Sequence, residues 1–159
     1  MKKKIVQAVQ GIPPVTEPEV EEFLKKSLNL QLATVDTEGY PTIQPVWFYR
    51  DVAADKLFVG TQKSTKKVQN ILENPDKIYF SIDDENFPPK GVKGGATATI
   101  SEDINKNVAM LEKLNLKYLG TLEHPLAKML MENGRNGTEI IIEMTPKFFS
   151  AWDFGKARM

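Results

Sequence analysis

Cysteine is absent from this 159-residue chain, and histidine occurs once. Without thiols there is no disulfide framework, no thiolate zinc or iron–sulfur site and no cysteine nucleophile, and an intracellular setting is expected. A serine–histidine–acid triad would have to rest on His124 alone, with no Gly-x-Ser-x-Gly elbow to support it. Standing before Pro125, His124 reads instead as a surface or helix-capping residue. Long apolar runs are also lacking: nothing approaches the roughly 20 residues of a membrane span. Met1-Lys2-Lys3-Lys4-Ile5-Val6-Gln7 is too short and too polar for a secretory core. A soluble, cytoplasmic protein without a membrane partner is expected. Charge excess is missing as well, since 21 basic and 21 acidic residues cancel, and this argues against a nucleic-acid partner. Asp83-Asp84-Glu85 lacks calcium-loop spacing, so no metal is expected. Lys93-Gly94-Gly95-Ala96 matches neither common nucleotide fingerprint and reads as a place of close backbone packing.

What is present suffices for one core: 41% of the residues are hydrophobic. Residues 1–15 read as an N-terminal arm ending at Ile12-Pro13-Pro14. Residues 16–159 read as a single domain. Thr16-Glu17-Pro18-Glu19 has capping-box spacing and opens a helix to about Ser27, with Val20, Phe23 and Leu24 on its apolar stripe. Leu30 to Val35 alternates as a strand, Asp36 to Gly39 turns, and Pro41 to Tyr49 returns. Further strands are expected at Lys56–Gly60, Lys77–Asp83, Gly91–Ser101, Thr138–Met144 and Lys147–Trp152. A two-helix insertion occupies about residues 104–134. Short strands joined by tight turns, mostly without helical crossovers, predict a mainly β, α+β fold of barrel or sandwich type.

The segment from Leu57 to Pro75 carries the strongest chemical signal. It reads as a strand, a hydroxyl-and-lysine turn, and a helix whose Val68, Ile71 and Leu72 pack inward. Ser64 or Thr65 can cap that helix, whose first-turn N–H groups and macrodipole favour an anion. Between Lys56 and Leu72 there are four lysines and no acid. Lysine at a helix N-terminus costs about 0.3–1 kcal/mol per charge, and a phosphate held by Ser64, Thr65, Lys66 and Lys67 would reverse that sign.

A second signal lies in Thr42 to Tyr49. Alternation puts Gln44, Val46 and Phe48 on one face and Ile43, Trp47 and Tyr49 on the other, and Pro45 marks an edge or an irregular ladder. Such a strand leaves backbone groups free to bond a flat heterocycle, and Gln44 offers both a donor and an acceptor. Trp152-Asp153-Phe154-Gly155-Lys156 forms a third cluster, aromatic and basic.

Taken in order, Leu32-Ala33-Thr34-Val35-Asp36, Gly39-Tyr40-Pro41, Pro45-Val46-Trp47-Phe48, Leu57, Thr61, Ser64-Thr65-Lys66-Lys67, Asn70, Asn74-Pro75 and Trp152 to Lys156 resemble the pyridoxamine 5′-phosphate oxidase-like family of FMN-binding split barrels. The resemblance spans about residues 28–156. It implies a six-stranded antiparallel split β-barrel with flanking helices, a homodimer, and two flavin sites at the subunit interface. Carried over by position, Gln44, Pro45, Val46 and Trp47 would line the isoalloxazine, and Thr61 would lie beneath the ribityl chain. Thr65, Lys66 and Lys67 would hold the phosphate. Trp152 and Lys156 would approach from the partner subunit. The implied activity is FMN-dependent oxidoreduction of a small-molecule substrate, with a deazaflavin reductase or a non-catalytic flavin carrier as alternatives, and no side chain need act as catalytic acid or base. True pyridoxamine 5′-phosphate oxidases carry arginine where this chain has Gln44, and a C-terminal Arg-x-His that it lacks, so that particular reaction is not implied.

Overall fold

A computed structural model describes residues 4–157; the first three residues of the arm and the terminal Arg158-Met159 lie outside the described residues. The strands are β1 (Ile5–Gln7), β2 (Leu30–Val35), β3 (Pro41–Val46), β4 (Tyr49–Asp51), β5 (Lys56–Gln62), β6 (Ile78–Asp84), β7 (Lys90–Ser101), β8 (Glu139–Pro146) and β9 (Phe149–Asp153). The helices are α1 (Glu17–Phe23), α2 (Lys66–Glu73), α3 (Ile104–Leu119) and α4 (Pro125–Arg135), and Phe154–Lys156 forms a closing 3-10 turn.

Period-two burial runs along β2, β5 and β6, each turning alternate side chains into one core. Among the described residues the strands join in a single nine-stranded sheet whose main path is β3-β2-β6-β7-β8-β5-β4. The six strands of six residues or more, β2, β3, β5, β6, β7 and β8, make the antiparallel path that the split-barrel expectation describes. The long β7 joins the two parts: residues 96–101 pair with β8, whereas residues 90–93 pair with β9. Close packing at its glycines is real. A β-carbon on Gly94 would stand 2.2 Å from the Phe148 carbonyl oxygen, and one on Gly91 would stand 2.3 Å from the Trp152 ring.

Three details depart from expectation. The arm contains β1, which pairs in parallel with β9. The predicted Pro41–Tyr49 strand breaks at Trp47-Phe48 into β3 and β4. On α2, Leu72 is 66% exposed, and the buried third position is Asn70. Its Nδ2 donates to the Thr34 and Thr42 hydroxyls (3.1 and 3.3 Å), which are themselves 2.8 Å apart. A polar network thus docks α2 on β2 and β3 where a third apolar contact was expected.

The main core gathers Val20, Leu24, Leu30, Ile71, Phe80 and Phe149 from both parts of the sheet. A smaller cluster of Leu111, Leu114, Met131 and Ile141 seats the α3–α4 lobe against β8, with Trp47 packed on it. No described helix is long and apolar enough to cross a membrane.

Candidate functional site

The turn between β5 and α2 is set by backbone bonds: Lys63 N–H donates to the Thr138 carbonyl (2.8 Å) and Thr65 N–H to that of Gln62 (3.2 Å). Thr65 occupies the N-cap position with extended backbone, but no side-chain oxygen caps the helix. Its hydroxyl donates instead to the Gln62 carbonyl (2.9 Å) and lies 3.5 Å from the Thr61 hydroxyl. Ser64 is exposed, one residue outside the cap. The cap expected of Ser64 or Thr65 is therefore not made, and the first-turn N–H groups of α2 are open to an anion.

The four lysines divide in the fold. Lys56 pairs with Glu143 (3.0 Å) and Lys63 with Glu102, acids distant in sequence. Lys66 and Lys67, at the first turn of α2, form no ion pair among the described residues. Lys66 is exposed; Lys67 is half-buried, and burial lowers its pKa while the charge of Glu139 opposes the shift.

Across from this turn, β3 is the edge of the sheet's main path. The chain leaves it at Trp47-Phe48 because α3 satisfies the backbone there. Tyr118 Oη accepts from Phe48 N–H (3.2 Å) and donates to the Leu28 carbonyl (2.6 Å), while Lys117 Nζ donates to the Phe48 carbonyl (2.8 Å). Trp47 stacks on Tyr118 with ring centroids 4.7 Å apart and planes 6° from parallel. Burial pushes the Tyr118 phenol up to about 12 and the Lys117 ammonium down to about 8. The Phe48 backbone is thus committed to α3, and the groups able to meet a ligand on this strand end before it.

Between these walls lies a cleft of about 470 Å³. It brings together Pro45, Val46, Trp47, Thr61, Thr65 and Lys67 of the residues expected from sequence. Gln44 and Lys66 are exposed beside it and do not line it; Ser64 faces a neighbouring hollow with Asn133 and Thr138. Trp152 lies elsewhere in the chain, in a cleft of about 430 Å³ formed with α1 and β7. Lys156 donates to the Pro14 carbonyl (3.0 Å) and pairs with Glu19. Within the chain, then, the C-terminal cluster and the α2 cleft are separate.

Sequence reading missed Glu139. The first residue of β8, it sits opposite Gln62 in the β5 register and lines the cleft. The residue is 5% exposed, and its buried Oε2 has no hydrogen-bond partner. Burial raises its pKa, and Lys67 opposes the shift. Its sequence signal is faint: an acid at the start of a strand ordinarily faces water.

An open antiparallel sheet arranged as a split barrel, with the uncapped start of α2 beside a cleft, defines the class of split-barrel proteins. The chain belongs to the pyridoxamine 5′-phosphate oxidase family, whose sequence model matches residues 16–152. It is 30% identical to an F420 reductase of known structure, covering 86% of this chain and 98% of that one with a TM-score of 0.65. The fold is shared with a conserved hypothetical protein from Mycobacterium tuberculosis at 19% identity and a TM-score of 0.78, over 97% of this chain and 96% of that one. A shorter match, 33% identical over 69 residues, relates it to the haem oxygenase HutZ of Vibrio cholerae; that match takes in 43% of this chain and 38% of HutZ.

Proposed function

We propose that the α2 cleft holds the phosphate end of FMN and that the protein is a cytoplasmic flavin-dependent oxidoreductase acting on a small molecule. One observation carries the reading: an uncapped helix N-terminus with two lysines that form no ion pair among the described residues, beside the Thr61 and Thr65 hydroxyls and an aromatic wall. The donor set fits a dianion, since helix N–H groups and ammonium groups donate, no side chain caps the helix, and the Thr65 hydroxyl can turn from the Gln62 carbonyl to a ligand. When bound, the flavin supplies the hydride and electron chemistry. The chain's own residues bind and orient: Lys66, Lys67 and Thr65 hold the phosphate, Thr61 supports the ribityl chain, and Pro45, Val46 and Trp47 with Gln44 border the ring. A deazaflavin in the same cleft is the second reading, favoured by the 30% identity to an F420 reductase.

The reading includes a homodimer. Ile43, Ala33 and Tyr79 stand in one row across β3, β2 and β6, and Ile43 and Tyr79 are 67% and 54% exposed. An apolar row on an edge invites a second copy, from which Trp152 and Lys156 would reach the flavin. Purified protein should absorb as a flavoprotein or take up added FMN, and should scatter light as a dimer. A colourless protein that binds neither FMN nor a deazaflavin overturns the reading. Turnover with a reduced nicotinamide separates an enzyme from a carrier.

A further inference from the structure

The proposed phosphate site contains a group that ought to repel its ligand. Lys67 and Glu139 are the two titratable residues lining the cleft. Of the elements packed around Glu139, β5 contributes uncharged Gly60, Thr61 and Gln62 to this lining, α4 contributes Leu130, and α2 contributes Lys67 with its N-cap Thr65. One cation therefore faces one buried carboxyl without a hydrogen bond between them, and one carboxyl oxygen has no partner at all. A buried polar atom in that state carries a desolvation penalty that a bonding partner relieves. A phosphate drawn to Lys67 would place its charge in the same pocket as that of an ionised Glu139, and like charges at such a site cannot all persist in a poorly solvated cleft.

We infer that Glu139 is the proton-accepting member of the site: binding a phosphate-bearing cofactor moves one proton from solvent onto its carboxylate, and the resulting carboxyl donates a hydrogen bond to the ligand. No other bond forms or breaks, and the proton comes from the buffer. The inference rests on the cleft being the cofactor site. It makes Glu139 a specificity residue, because a dephosphorylated ligand brings no charge that demands the proton. The raised affinity of Glu139 for a proton, caused by burial, works in the same direction.

The test is calorimetric titration of the whole protein with FMN and with riboflavin between pH 7 and pH 9, in pairs of buffers with different ionisation enthalpies. The phosphate stays dianionic across that range. FMN binding should take up about one proton and weaken by up to about tenfold per pH unit, whereas riboflavin binding should take up none. Glu139→Gln, which donates a hydrogen bond without titrating, should bind FMN with no uptake and, at pH 8, about tenfold more tightly than the parent. Lys67→Arg keeps the charge but cannot accept a proton in this range, so its uptake should persist; if uptake disappears there and survives in Glu139→Gln, Lys67 is the acceptor and the inference is wrong. FMN preferred over riboflavin with no proton uptake overturns the inference and leaves the cofactor site standing. Absence of FMN binding at every pH overturns both.

Discussion

Helices α1 and α2 both begin after a threonine, yet they treat it differently. Thr16 Oγ1 accepts from Glu19 N–H at 3.4 Å while Glu19 Oε2 accepts from Thr16 N–H at 3.1 Å, a closed capping box with Glu17 and Glu19 in the first turn. Thr65 caps nothing, and the first turn of α2 carries Lys66 and Lys67. Around α1 the charges are matched from within the chain. Arg50 is held by Glu21 through two contacts of 3.0 and 2.7 Å and by Asp55 at 3.0 Å, Lys26 by Asp84 at 2.9 Å, and Lys156 by Glu19. Around the start of α2, Lys67 and Glu139 share a cleft without a bond. A terminus completed by its own chain serves stability; one left uncapped, beside cations that form no ion pair among the described residues, is where the proposed ligand would bind.

The widest gap between the two regions should appear on cutting the Arg50 network. Glu21→Ala leaves a guanidinium that is 5% exposed with one carboxylate fewer. Breaking a buried pair by removing one partner costs about 3–5 kcal/mol, so urea unfolding should show a loss near the lower figure while FMN affinity stays at the parental value. Replacing Lys66 and Lys67 by alanine should do the reverse. Loss of one charge-assisted contact, about 1.5–3 kcal/mol, predicts FMN binding weaker by about tenfold to a hundredfold, with riboflavin affinity and unfolding midpoint unchanged. Of the single variants, Lys67→Ala should account for most of the effect, since Lys67 lines the cleft and Lys66 does not.

A smaller contrast comes from the two threonines. Thr16→Ala should cost about 1 kcal/mol of stability through the lost cap. Thr65→Ala should cost less stability but weaken FMN. Equal stability losses would mean that the two termini are alike after all. The smallest effect belongs to acid titration of Asp84. Its pKa is held down to about 2, first by Lys26 and then by bonds from Asn86. Because the native value lies below the unfolded one, this contribution is complete above about pH 4 and is lost as pH falls towards 2. Melting curves of Asp84→Asn should lack that part of the acid limb, and an unchanged limb would show that the pair is idle.

Local chemistry was legible in the sequence wherever it is settled within a few residues. The capping box at Thr16, the hairpin of Leu30–Val35 with the strand that starts at Pro41, His124 accepting from Leu126 N–H at 3.0 Å to cap α4, and the strand–turn–helix around Thr65 all follow from neighbours in the chain. What escaped depends on partners far away. The break at Trp47-Phe48 requires Lys117 and Tyr118, some 70 positions on. Asn70 replaces Leu72 inside because two threonines from a hairpin await it. Lys56 and Lys63 counted towards the positive local charge of the stretch, but Glu143 and Glu102 fold onto them. Glu139 could have been suspected only by aligning β8 against β5, a register that strand patterns alone do not reveal.

The pairing of β1 with β9 makes closing the sheet a long-range event. Ile5 lies against Phe149, and Ala8 N–H reaches the Ala151 carbonyl at 3.1 Å. β1 therefore cannot be bonded until β9 is in place, and the early half of β7 needs the same β9. Contacts that span nearly a whole chain are slow to close. Until β9 is in place, β1 and the early half of β7 keep unpaired strand edges.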